Sequence, residues 1–232
     1  MIKLFQYPPA LGLPNASPFC LKVETLLKMA GIPYELVNTI DRGKGPKGKL
    51  PAIDDGGKII GDSELIRLHL ERTYNVDFDA GFTPEQRSVA HAFARMLEER
   101  LYWIAAHDRW VLPENGAIIA RAFLPTLPAP LVGPVLWFAA RKIKRAMHHH
   151  GVGRHSREDM YAMGIADIRA VAAQLGGKPF FMGEEPKGID AVIYAFMVQL
   201  LVPNVRSPLN EETRRQANIV AYCERMKARF FP

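Results

Sequence analysis

The chain has 232 residues, 48% apolar and 23% charged, with 18 glycines, 18 prolines and a formal net charge of +6. That length holds one large domain or two small ones around a core that needs no disulfide, and the composition excludes collagen-like, disordered and disulfide-stapled chains. A positive balance raises the question of an anionic partner, whether nucleic acid, anionic lipid or acidic ligand, although a mild excess also serves solubility alone. The two cysteines, Cys20 and Cys223, make no framework, and no paired Cys and His pattern for zinc is present. Met1 to Ala10 is short, mixed and interrupted by Pro8 and Pro9, unlike a secretory segment. The expectation is a reducing, cytoplasmic setting.

Ile2 to Tyr7 alternates apolar and polar positions, as a strand does. Pro8 and Pro14 then enforce a loop. Ser17 before Pro18 reads as an N-cap with proline at the first helical position. Phe19, Val23, Leu26, Leu27 and Ala30 recur at helical spacing until Gly31. Tyr34 to Thr39 is a second strand, followed by a glycine- and lysine-rich loop over 41–49. Leu50 to Ile53 and Lys58 to Ile60 are short strands joined by Asp54-Asp55-Gly56-Gly57, a hairpin signal. Asp62 or Ser63 then caps a helix. A helix between the first two strands implies parallel pairing and the hairpin an antiparallel pair, giving a mixed four-stranded sheet.

Beyond residue 80 the pattern is helical. Pro84 opens a long amphipathic helix to about Trp110. Further helices are expected over Arg157 to Leu175, Gly188 to Leu201 (apolar on almost every side) and Glu211 to Phe230. The shift in pattern divides the chain into an α/β domain over 1–76 and an all-α domain over 84–232.

Three local patterns, in this order, resemble the glutathione transferase superfamily. Ser17-Pro18-Phe19-Cys20 resembles a thioredoxin-type Cys-Pro-x-Cys site. Gly48-Lys49-Leu50-Pro51-Ala52-Ile53 resembles the strand that carries a cis-proline, and Asp62-Ser63 resembles the acidic-residue-plus-serine pair. Glu98 to Trp103, Gly151 to Ser156 and Tyr222 to Met226 are similar to the branch containing metaxins and the failed-axon-connections proteins. The resemblance implies a thioredoxin-like first domain, a helical second domain, glutathione as co-substrate and a small electrophile as its acceptor. A homodimer is a further expectation from relatives.

Glutathione transfer needs a thiolate, and a free thiol has a pKa of roughly 8.5. A helix N-terminus stabilises the anion, and a hydroxyl donating to sulfur adds to this. The residues alone explain Ser17 as an N-cap; the resemblance puts its hydroxyl at the glutathione sulfur. Serine where redox relatives carry cysteine forms no mixed disulfide, so thiol exchange there is not expected. Cys20 reads as an inert core cysteine, with Asn15 and Tyr7 as alternative donors. By the same resemblance Leu50 and cis-Pro51 offer backbone groups to the cysteinyl part. Lys49 meets the glycyl carboxylate, Asp62 accepts from the γ-glutamyl ammonium, and Ser63 with the N–H groups of the helix it opens holds the adjoining carboxylate. Simple helix capping also explains Asp62-Ser63, and a solvated loop lysine also explains Lys49. Arg100, Tyr102 and Trp103 are candidates to line the electrophile pocket, or core residues. Asp190 matches the superfamily's acidic capping residue, but the Ser or Thr it usually faces is Lys187, which has no acceptor.

Ala122 to Ala140 is a run of 19 residues without a charge, followed by Arg141, Lys142, Lys144 and Arg145. Its length touches that of a membrane span, and Pro125, Pro128, Pro130 and Pro134 argue against one. Either residues 122–145 dock on an anionic membrane surface, or they pack over a cleft or a second subunit. His148-His149-His150 lacks accompanying acidic or cysteine ligands, and no metal site is expected. No nucleic-acid reading motif accompanies the charge. The alternative to a glutathione transferase is a non-catalytic binding or scaffold protein of the same fold.

Overall fold

The first strand, β1 (Ile2–Gln6), buries Ile2 and Leu4 completely. In the computed structural model, which describes residues 1–124, 127–202 and 205–232, it lies inside a four-stranded sheet. It pairs parallel with β2 (Tyr34–Asn38), Leu4 opposite Leu36, and antiparallel with β3 (Ala52–Asp55), Leu4 opposite Ile53. The hairpin at Gly56-Gly57, both at positive φ, turns β3 into β4 (Lys58–Gly61). The order β2-β1-β3-β4 is the mixed sheet expected. β3 starts at Ala52 rather than Leu50 because Pro51 has no N–H for the ladder.

Helix α1 (Pro18–Met29) starts at the Ser17 cap and ends before Gly31, whose φ of 62° is open to glycine at little cost. It has two buried faces. Val23, Leu26 and Leu27 join the sheet's apolar cluster, while Leu21 joins the larger helical one. α2 (Ser63–Tyr74) buries Ile66 and Leu70 against the sheet.

A reciprocal capping box between Thr83 and Gln86 opens α3 (Pro84–Arg95). This helix runs through a π-helical turn at Met96–Leu101 into α4 (Tyr102–Trp110). The long helix expected over 84–110 is therefore continuous but bulged once. α5 (Gly116–Phe123) and α6 (Ala129–His150) carry the uncharged run and the basic cluster that follows it. Pro128 and Pro130 sit at the start of α6, where N–H groups have no intrahelical partner anyway. Pro134 lies on the exposed face, where water reaches the carbonyl it leaves unpaired. Pro125 lies outside the described residues.

α7 (Arg157–Leu175) begins at the Ser156 cap, and α8 (Gly188–Leu200) is buried along its whole length beside α1. The last expected helix, Glu211 to Phe230, is two: α9 (Pro208–Arg215) and α10 (Ala217–Phe230). Gln216 leaves the helical region at φ −86°, ψ 86°. The Asn218 amide donates to the carbonyls of Ala172 (2.9 Å) and Gly176 (3.0 Å), which ties the start of α10 to the end of α7. Among the described residues no helix is long and apolar enough to cross a membrane.

Candidate functional site

The strand registers bring three motifs to one end of the sheet. Phe5 faces Ala52 and Ala52 faces Gly61, so the exit of β1, the Leu50-Pro51 entry to β3 and the Asp62-Ser63 exit from β4 are neighbours. The exit of β1 leads through a loop to Ser17 and the N-terminus of α1. The Leu50-Pro51 peptide is cis.

At that N-terminus Ser17 is half-buried, and its Oγ accepts from the Cys20 N–H at 3.4 Å. Pro18 has no N–H, and the Phe19 N–H has no acceptor among the described residues. The Ser17 hydroxyl also lies beside the Cys20 thiol, which burial pushes up to about 12. Among the described residues the Ser17 hydroxyl donates to no oxygen or nitrogen. An N–H and an O–H are thus left at the positive end of a 12-residue helix, an arrangement that favours an anion.

The Asn15 side chain donates to the Tyr7 carbonyl (2.6 Å) and accepts from the Ser17 N–H (2.9 Å). The Gln199 amide, from α8, donates to the Asn15 carbonyl at 2.9 Å. Arg109, from α4, donates to the Ala16 carbonyl (2.8 Å) and to Gln199 Oε1 (2.7 Å). Among the described residues no carboxylate pairs with Arg109. Burial lowers its guanidinium to about 10, so it remains a cation at neutral pH, directly beneath the loop that presents Ser17.

Asp62 holds a left-handed backbone (φ 87°) that is uncommon for a non-glycine residue and strained. Its Oδ1 accepts from the N–H groups of Glu64 (3.0 Å) and Leu65 (3.3 Å), and its side chain remains substantially exposed. Ser63 is buried, and its hydroxyl has no partner among the described residues. The 41–49 loop crosses this corner: a Cβ on Gly61 would stand 2.8 Å from the Pro46 ring. Lys47 Nζ lies 3.9 Å from Asp62 Oδ2. Lys49 is exposed and without an ion pair among the described residues.

Beside the β1–α1 loop opens a cleft of about 1020 Å3, walled by Leu11, Leu13, Ile118, Val198 and Leu201, with Arg121 and Lys227 at its edge.

Two family models cover most of this architecture. Residues 18–115 match the glutathione S-transferase N-terminal domain and residues 164–226 the glutathione S-transferase C-terminal domain. An isoprene-epoxide–glutathione S-transferase from Rhodococcus sp. (strain AD45) is 31% identical, over 99% of this chain and 99% of that protein. The chain belongs to the glutathione transferase superfamily. Failed axon connections of Drosophila melanogaster is 35% identical over all of the chain, which spans 58% of that protein's length. Metaxin-1 of Mus musculus is 27% identical over all of the chain and 75% of that protein. Among solved structures, a β-etherase from Sphingobium sp. strain SYK-6 superposes with a TM-score of 0.66 at 15% identity, covering 98% of this chain and 95% of that one. A glutathione S-transferase from Ceriporiopsis subvermispora, in complex with glutathione, superposes at 0.60 and 20% identity, covering 99% and 96%.

Within this transferase fold the residues singled out from the sequence separate into two groups. Ser17, Leu50, Pro51, Asp62 and Ser63 gather at one sheet end. Asn15 is fully buried, with one amide N–H given to the Tyr7 carbonyl and its oxygen taken by the Ser17 N–H, so it supports the loop from beneath. Arg100 is tied to Asp167 of α7 (Nε to Oδ2 2.9 Å), and the Trp103 ring meets that of His150 at a tilt of 40°. Tyr102, 5.0 Å from the Phe19 ring, stays beside the α1 N-terminus. Asp190 is fully buried and accepts from the Lys187 N–H, the Phe181 N–H and the Tyr222 hydroxyl. Lys187 itself reaches the Ala80 carbonyl at 2.8 Å, so half of the superfamily's capping box survives.

Arg109, Gln199 and Lys47 escaped the sequence reading. Arg109 and Gln199 meet Ala16 and Asn15 across 93 and 184 residues, and neither sits in a local motif. Lys47 belongs to a loop whose lysines look alike until the fold places one of them near Asp62. Among the described residues no group of three or more His, Cys, Asp or Glu is placed to hold a metal ion.

Proposed function

We propose that this protein binds glutathione along the entry to β3 and activates its thiol at the N-terminus of α1 for attack on a small apolar electrophile. The observation that carries this reading is the gathering of Ser17, cis Leu50-Pro51 and Asp62-Ser63 at one end of the sheet. The near full-length similarity to a protein named for glutathione transfer to an epoxide supports it.

The donor set fits a tripeptide with two carboxylates and one ammonium. Backbone groups at Leu50 suit the cysteinyl part in strand-like pairing. The Asp62 carboxylate suits the γ-glutamyl ammonium. The Ser63 hydroxyl suits the carboxylate beside it, with Lys47 near Asp62 as a cation for that same carboxylate, and Lys49 supplies a cation for the glycyl end. The Ser17 O–H and the Phe19 N–H hold the sulfur as thiolate, and the Arg109 charge adds to the positive potential there. The thiol proton passes to solvent. For an epoxide the sulfur lone pair forms the new C–S bond as the C–O bond breaks, and the oxygen then takes a proton from water. The apolar cleft beside Leu11 and Leu13 suits such a substrate.

Calorimetric titration of glutathione, with conjugation assayed on a small epoxide, tests the reading. Saturable binding below millimolar glutathione and a conjugate by mass are expected. No heat at millimolar glutathione contradicts it, and binding without any conjugate leaves the non-catalytic alternative.

A further inference from the structure

Helix α6 has one covered face and one open face, and the open face is not built for water. Its C-terminal half is anchored: Met147 is buried, Ile143 packs on the core, and the His150 ring lies 5.2 Å from that of Trp103. On the opposite side the first three turns present Leu131, Pro134, Val135, Trp137 and Phe138. Trp137 is 57% exposed and Phe138 65%, the largest aromatic exposures in the described residues. The same side then presents Arg141, Lys142, Lys144 and Arg145, all exposed, and none has an ion-pair partner among the described residues. No Asp or Glu occurs between Glu114 and Glu158.

An ordinary amphipathic helix separates its apolar and charged residues around the axis. Here the separation runs along the axis on a single face. We infer that α6 docks this protein on an anionic lipid surface, its N-terminal turns dipping into the headgroup and acyl boundary and its four cations meeting the lipid phosphates. At 1.5 Å per residue, Leu131 to Phe138 spans about 10 Å, the depth to which interfacial helices bury. The cations begin about 4 Å further along, within a headgroup layer of roughly 5–7 Å on each side of a bilayer. Arg141 lies over the Trp137 ring at 5.6 Å, joining the apolar and cationic parts. A second copy fits the face poorly. An isologous contact through it brings two sets of four unpaired cations close together, at a separation where salt screens little.

Co-sedimentation of the whole chain with phosphatidylserine–phosphatidylcholine vesicles, and with phosphatidylcholine alone, tests this. The expected result is binding to the anionic vesicles only, with Trp137 emission quenched by brominated acyl chains. Arg141→Gln/Lys142→Gln/Lys144→Gln/Arg145→Gln lowers the binding by about 1000-fold, and Trp137→Ser/Phe138→Ser abolishes the quenching. Both variants change exposed side chains, and thermal unfolding checks that they fold. No binding to anionic vesicles at about 0.1 M salt, or binding that neither variant weakens, overturns the inference. So does a wild-type dimer that Trp137→Ser/Phe138→Ser converts to monomer, which assigns the face to a second copy.

Discussion

At Ser17 a single hydroxyl faces two demands, and its two ends meet them separately. The oxygen caps α1 by accepting from Cys20, and the hydrogen is left for the sulfur of the proposed glutathione. Cys20 beside it is completely buried and stays protonated, so this position offers no redox chemistry. Arg109 is the residue-scale addition that only the fold reveals. Arg109→Gln keeps a donor toward Ala16 but removes the charge, and it is expected to raise the pKa of bound glutathione by about one unit while leaving binding within a few-fold. Ultraviolet titration of the bound thiolate measures this, and an unchanged pKa rules out an electrostatic role for Arg109. The Ser17-Pro18 cap was legible because capping is set by adjacent residues. Arg109 was not, because nothing in the run Ala105 to Trp110 records that its side chain ends at a carbonyl 93 residues earlier.

Between elements, buried charges join the sheet to the helices. Lys22 of α1 is wholly buried and donates to Glu64 of α2 and to Glu98 in the π-helical turn, each at 2.8 Å, with Arg95 pairing the same two carboxylates. Lys22→Met leaves Glu98 buried with half of its compensation and is expected to cost about 3–5 kcal/mol in denaturant unfolding. A loss under about 1 kcal/mol shows that the network is not a structural tie. Asp190 gives a pH signature. Burial raises its carboxyl from 3.8 to about 6, so the folded state holds a proton that the unfolded state has released between about pH 4 and pH 6. Its contribution is most favourable below that window and falls as pH rises through it, by about 3 kcal/mol. The stability of wild type relative to Asp190→Asn therefore declines from pH 4 to pH 6 and is level above; a difference that is flat across the window refutes the assignment. The runs that resemble metaxins also act at this scale. Glu98 and Arg100 make inter-helix ion pairs, Gly151 at φ 104° ends α6, and the Tyr222 hydroxyl serves Asp190. The sheet, α1, α7 and α8 were readable from periodicity and caps. The break at Gln216 was not, because Asn218 makes it with carbonyls on α7. The bounds of α6 were not legible, because prolines interrupt the run 122–140 and only the fold shows which of them a helix tolerates.

Across the whole molecule the charge is unevenly placed. Residues 141–157 carry six Lys or Arg and no acid, and the rest of the chain is balanced. The net +6 is thus a property of α6, the turn after it and the first residue of α7, separate in sequence from the end of the sheet where Ser17, Pro51 and Asp62 gather. That sheet end has its own local cations in Lys47, Lys49 and Arg109, which the carboxylates and thiolate of the proposed glutathione would meet. The two surfaces are therefore independently testable, and changes on α6 are expected to leave glutathione binding within a few-fold. The central claim concerns the sulfur. Thiolate absorbance of glutathione at saturating protein, followed against pH for wild type and Ser17→Ala, tests it most directly. The expected result is a bound-thiol pKa at least one unit below the free value of roughly 8.5, moving back toward it in Ser17→Ala with glutathione still bound. A bound thiol that titrates with the free value in the wild-type protein would contradict it.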